Sequence, residues 1–152
     1  MYGKSSGEYA KIEENEMDWI ALHPAFALAP FLILLLFGGH AVADYGQQSA
    51  YVAEFKVRSD RNPDWFVTLG AHCLIHAVIV CGVSFGFLML AGKAAPVAAL
   101  IASGLGWTEF LLHFVIDDAK GQKRFSYRAD QALHYGCKLA WAAILIASAG
   151  IA

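Results

Sequence analysis

Apolar residues fall in four long blocks, 21–43, 65–91, 96–115 and 133–151, with short polar stretches between them. A helix that crosses the hydrocarbon core of a bilayer needs about 20 mostly apolar residues, and each block is close to that length. The third and fourth blocks mix Ala and Leu with scattered Gly and Ser, small residues that let membrane helices approach closely. The pattern predicts an all-α protein: an integral membrane four-helix bundle whose helices run up, down, up and down. Residues 1–18 read as a polar N-terminal tail and interfacial segment, and 19–152 as a single four-helix transmembrane domain.

The breaks between blocks carry turn chemistry. Asp60-Arg61-Asn62-Pro63-Asp64 is a turn signal, and Trp65 after it suits the headgroup level, as does Trp19. Residues 92–96 predict a tight hairpin. Gly121 is expected to end the third helix and Ser126 to open the fourth. Pro24 fits the first turn of the first helix.

Composition agrees with a membrane setting. At 58% hydrophobic and 16% charged, the 152 residues are too apolar for an average soluble domain. The formal net charge of −2 gives no reason to expect a nucleic-acid partner. The basic residues are unevenly placed. Lys56, Arg58 and Arg61 lie between the first two blocks, and Lys120, Lys123, Arg124 and Arg128 between the last two. Only Lys4, Lys11 and Lys93 lie elsewhere. With four spans, the two basic connections share one side, and positive charge concentrates on the cytoplasmic side. Both chain ends are therefore expected outside a bacterial inner membrane.

Residues 25–37 followed by Ala41-Val42-Ala43 resemble a secretory signal, but the preceding region is long and acidic rather than short and basic. A retained span is expected. Cys73, Cys81 and Cys137 are odd in number, lack a C-x-x-C spacing and lie in apolar blocks, so they read as small buried hydrophobes.

The chemistry lies in four pairs spaced i to i+4: His40/Asp44, His72/His76, His113/Asp117 and Asp130/His134. Residues four apart share a helix face, so each pair can offer two ligand atoms to one point. Five of the six histidines are in this set; His23, at the far end of the first helix, is read as interfacial. Spans one and three carry their pair near the C-terminal end, spans two and four near the N-terminal end. An up-down-up-down bundle brings all four pairs to the basic side. Ionisable groups in membrane helices are expensive and need a compensating partner. A metal is the favoured reason; a hydrogen-bonded network or a proton pathway would use the same residue types.

Three protein ligands suffice for catalytic zinc, so the eight residues have room for one or two divalent transition metals. Mixed imidazole and carboxylate ligation suits zinc, iron or manganese, with zinc favoured. Two ions bridged by a carboxylate, or a few of the eight serving as orienters of metal-bound histidines, are further arrangements. Asp117, Glu109 and Lys120 are the expected catalytic residues. Glu109 lies one turn before His113 as ligand, general base or, preferably, second-sphere acceptor. Lys120 would steady an anionic substrate group. Gln48, Lys56 and Gln131 are expected to orient ligands or contact substrate; Gln48 falls one turn past Asp44 if the helix continues. The remaining basic residues suit lipid headgroups.

The run His40-Ala41-Val42-Ala43-Asp44-Tyr45-Gly46-Gln47-Gln48, Lys56, His72 with His76, His113 with Asp117 and Lys120, and Asp130-Gln131 with His134 resembles domain-of-unknown-function family 3307 over about residues 30–148. Its members are small bacterial and phage membrane proteins. Tyr45 stands where that family more often has Phe, and the acidic tail is extra. The arrangement is also similar to bacterial membrane proteins labelled metal-dependent hydrolases, which implies such a hydrolase by analogy. The expected substrate is a lipid or amphiphilic phosphoester or acyl compound at the cytoplasmic interface. Two alternatives stay open. One is a non-enzymatic subunit of a membrane or phage assembly, or a homo-oligomer, with a structural metal or proton-relay site. The other is a di-iron membrane oxidase, against which stand three Asp and no adjacent His-His.

Overall fold

A computed structural model describes residues 24–60 and 62–150. The tail, Trp19, His23 and Arg61 lie outside the described residues. Among those described, all regular structure is helical except one isolated bridge between Ser59 and Asn62. Helix α1 spans Pro24–Ala41 and runs into a π-helical turn, Val42–Gly46. The short α2 spans Ala50–Phe55, α3 Trp65–Leu90, α4 Ala95–Gly121 and α5 Tyr127–Gly150. Four of these, with α1 extended through the π-turn, are long and apolar enough to cross a membrane. This is a multi-pass four-helix membrane bundle.

Burial is inverted relative to a soluble protein. Leu34, Leu100, Trp107, Leu111 and Val115 face outward, whereas five histidines, Glu109, Asp117, Asp130 and Lys138 are buried. Hydrocarbon on the outside makes an apolar exterior favourable, and the interior is then the place where polar groups can find partners. The interior divides lengthwise. Leu32, Leu36, Val80, Phe87, Leu88, Ala98, Leu105 and Leu145 pack one half. The other half holds the ionisable groups, at the C-terminal ends of α1 and α4 and the N-terminal ends of α3 and α5.

Two glycines set close approaches. A Cβ on Gly39 would lie 2.5 Å from Ile79 Cγ2, and one on Gly106 would lie 3.1 Å from both Ala77 O and Cys81 Cβ. These seat α1 and α4 against α3. Gly70, Gly82, Gly86 and Gly104 have open space where a side chain would go, so they do not serve packing inside the bundle.

The helix ends depart from the hydropathy blocks. Helix α4 continues to Gly121 and α5 begins at Tyr127, each about a turn into polar sequence. Ser126 Oγ accepts from Ala129 N at 3.3 Å and caps α5, while ion pairs described below hold the last turn of α4. Polar turns of this kind are invisible to hydropathy but stable once their charges are paired.

Both hairpin exits from α3 and α4 use the same closure. At Gly92 (φ +84°), Lys93 N bonds Leu88 O at 2.9 Å and Gly92 N bonds Met89 O at 3.1 Å. At Lys123 (φ +61°), Arg124 N bonds Ala119 O at 3.1 Å and Lys123 N bonds Lys120 O at 2.8 Å. This Schellman pattern places its left-handed residue just past the helix, where glycine is the usual occupant. At the second exit that residue is Lys123, two positions after the glycine expected to end the helix.

Candidate metal centre

The π-turn is the local feature that shapes the site. Gln47 N reaches back five residues to Val42 O at 3.0 Å, the bond that defines π winding. It moves Asp44 off the regular face of α1 and sets its carboxylate against α3: Oδ1 is 3.1 Å from His76 Nε2 and 3.5 Å from His72 Nε2. The same turn ends the helical register expected to carry Gln48, which lies in the following coil. Gln48 therefore does not continue the His40/Asp44 face.

The five histidines form one cluster. Ring centroids lie 3.8 Å apart for His76 and His113, 4.1 Å for His113 and His134, 4.8 Å for His72 and His76, and 5.1 Å for His40 and His134. His40 Nδ1 faces His76 Nδ1 at 3.4 Å. Asp117, one turn above His113, has Oδ1 3.2 Å from His134 Nε2 and Oδ2 2.6 Å from Lys56 Nζ. Asp130 Oδ1 lies 3.4 Å from His134 Nε2, and Lys120 Nζ lies 3.6 Å from Asp130 Oδ2. All eight ligand candidates thus reach one end of the bundle.

Within the cluster two sets have ligand atoms close enough together for one ion: Asp44, His72, His76 and His113, and His113, Asp117 and His134. They are not equivalent. His72 Nε2, His76 Nε2, His113 Nε2 and Asp44 Oδ1 are all buried without a hydrogen bond. Asp44 Oδ1 is near two of these nitrogens but off the hydrogen-bond direction. Those four atoms can all belong to the first set. In the second set, Asp117 is already engaged by Lys56 and His134. His113 has only Nε2 to give, because its Nδ1 is 3.2 Å from Glu109 Oε1. Unmade hydrogen bonds on buried polar atoms cost about 1–3 kcal/mol each, so four converging on one point mark a place that a cation would complete. The donor set, three imidazoles and a carboxylate, fits a zinc-like ion.

The remaining expected residues are placed as follows. Glu109 sits below the histidines, facing away from the four open atoms: Lys138 Nζ donates to Oε1 at 2.5 Å and Trp141 Nε1 to Oε2 at 2.7 Å. Lys120 projects over the Tyr127 ring at 5.6 Å and toward Asp130 rather than over Asp117. Lys56 is held against Asp117 by α2, a helix that the sequence reading treated as loop; Ser49 caps it, accepting from Val52 N at 3.3 Å. Gln131 Nε2 donates to Asp44 Oδ2 and Asp130 Oδ2, each at 3.2 Å.

Sequence reasoning passed over Lys138, Trp141, Tyr45 and Tyr127. The hydroxyls of Tyr45 and Tyr127 are hydrogen-bonded to each other, and Tyr45 lies 3.3 Å from Gln131 Oε1, so the pair closes the outer side of Asp44. A signal for Lys138 existed. It continues Asp130/His134 by one more turn, opposite Glu109, which needed a partner.

Neither curated proteins nor solved structures yield a match to the chain. A family model does, over residues 31–150, a segment that contains every residue of the cluster. On that match, the chain belongs to the family described as Protein of unknown function (DUF3307).

Proposed function

We propose that the protein is a membrane-embedded metal-dependent hydrolase acting on an anionic lipid or similar amphiphile at the cytoplasmic face of a bacterial inner membrane, with both chain ends outside. The observation that carries the metal reading is the coincidence of four unsatisfied buried atoms with one ligand set. Asp44, His72, His76 and His113 would hold the ion, zinc being the best fit and iron or manganese the alternatives. A second ion at His113, Asp117 and His134 is disfavoured, because Lys56 already supplies a cation there.

Charge supports one ion and an anionic substrate. Asp44, Glu109, Asp117 and Asp130 bring four negative charges, and Lys56, Lys120 and Lys138 bring three positive ones. One divalent ion turns the deficit of one into a surplus of one. That is the sign needed to draw in a phosphoester or a developing carboxylate. Lys123 and Arg128 add attraction at the rim.

An ion bound there would supply Lewis acidity and lower the pKa of a water. The chain's own groups do the rest. Asp117 borders the centre, 3.6 Å from His72 Nε2 and 3.9 Å from His113 Nε2, and is the base that takes the proton of the attacking water. His134, between Asp117 and Asp130, shares that proton and leads it toward Lys120 at the surface. Gln131 keeps Asp44 oriented while the Tyr45–Tyr127 pair limits water entry.

A second reading has one observation in its favour. Four protein ligands close a tetrahedral shell, as structural zinc sites do, so the same set would also serve a non-catalytic subunit of a membrane or phage assembly. Elemental analysis of the purified chain tests the first step: about one transition metal per chain is expected, and a metal-free protein whose stability ignores chelator sinks the reading. Turnover of labelled phospholipids, abolished by chelator and by Asp117→Asn, then separates hydrolase from structural subunit. A metal-loaded protein that cleaves neither phosphoester nor acyl ester is the structural one.

A further inference from the structure

One turn deeper in the bundle than the histidines lies a second polar group that no ligand role requires. Lys138 is 1% exposed, the largest fully buried side chain among the described residues. Its ammonium is 2.5 Å from Glu109 Oε1, Trp141 Nε1 is 2.7 Å from Glu109 Oε2, and His113 Nδ1 is 3.2 Å from Glu109 Oε1. Glu109 is itself 1% exposed. A carboxylate is an acceptor only, and here three donors from two helices converge on its two oxygens.

We infer that Glu109 is a positioning residue for the centre, and that Lys138 and Trp141 are what make it one. The inference rests on the metal reading above. As an acceptor, Glu109 requires His113 to carry its proton on Nδ1, which leaves Nε2 as a lone pair facing the other three open atoms. Histidines that bind metals commonly donate their other nitrogen to a carboxylate, which fixes the tautomer and strengthens the ligand. A lone carboxylate at this depth would be costly to keep charged. The ammonium of Lys138 lowers that cost, and the indole of Trp141 fixes the rotation of the carboxylate. The ligand strength of His113 is thereby set from the membrane interior, on the side away from water and substrate.

The four helices make this more than a local contact. Glu109, His113 and Asp117 form a column on α4 at four-residue spacing. Asp130, His134 and Lys138 form another on α5, running the opposite way. Lys120–Asp130, Asp117–His134 and Glu109–Lys138 are successive rungs between them. Of the three, only the deepest places a carboxylate on the Nδ1 of a histidine in the four-atom set.

The test is cobalt(II) titration of the full chain in lipid nanodiscs after metal removal, read by the visible ligand-field bands. Wild type is expected to bind about one cobalt per chain. Glu109→Gln should bind 10–100-fold more weakly, with a shifted band pattern, because an amide is a poorer acceptor for His113. The paired variant Glu109→Gln/Lys138→Met removes both charges together, so it guards against a folding failure of the single change; it should fold and still bind weakly. Wild-type affinity and bands in the paired variant would overturn the positioning role and leave a purely structural ion pair. Absence of cobalt binding by wild type would overturn the metal reading itself, a different outcome from the first.

Discussion

The two buried polar groups, one turn apart, are built from the same residue types and stand in opposite conditions. In the deeper group, Glu109, Lys138 and Trp141 satisfy one another at 2.5–2.7 Å. In the shallower group, four atoms of Asp44, His72, His76 and His113 approach one another and make no hydrogen bond. The same chain solves the burial problem completely in one place and leaves it open in the next. A buried polar group that is fully paired is evidence about folding. One that is left unpaired beside others like it is evidence about a ligand.

The contrast can be broken by experiment. The largest effect should come from the open set: His113→Ala should reduce bound metal from about one ion per chain to essentially none by elemental analysis. Metal-loaded wild type should also gain about 3–4 kcal/mol over its stripped form when free ion is 100–1,000 times Kd, and the variant should gain nothing. Equal stabilisation of both would mean that the ion sits elsewhere.

The closed set should respond through stability instead. Lys138→Met strands a buried carboxylate and should cost about 3–5 kcal/mol. The paired change Glu109→Gln/Lys138→Met should recover most of that loss, measured by unfolding in mixed micelles. A paired variant as unstable as the single one would show that the ammonium's contribution is packing rather than charge.

Two smaller changes should leave the contrast intact. Lys123→Gly relieves the left-handed backbone at the end of α4 and should raise stability by about 1 kcal/mol, with cobalt affinity unchanged. Lys120→Gln removes the outermost rung, where the lysine side chain is 34% exposed, and should change stability by less than about 1 kcal/mol. Its larger effect should be on turnover, since Lys120 ends the proton path from Asp117. Unaltered turnover would remove Lys120 from the mechanism.

Much of this was readable in the residues. Four apolar blocks give four spans because length and composition suffice to state what a bilayer tolerates. Pairs four apart locate His72/His76 and Asp130/His134 on single faces because regular helix geometry is local. What could not be read depends on contacts between distant segments. The π winding at Asp44 has no marker in Val42-Ala43-Asp44-Tyr45-Gly46, and the register extended to Gln48 fails there. Lys138 sits in a block where one lysine scarcely alters hydropathy, and its meaning appears only when α4 brings Glu109 across. The sort into four open atoms and three engaged residues is tertiary information entirely. Spacing alone treats all eight as equals.

Winding at Val42–Gly46 also bears on how the chain can change length. Excising one residue there would let the segment coil as ordinary helix, swinging everything beyond it by about 100° around the axis. Asp44 would leave His76, and α2 would carry Lys56 away from Asp117. Small deletions between Ala41 and Gln47 should therefore be far more damaging than equal ones around Asp60, even though neither removes an apolar side chain from the bundle.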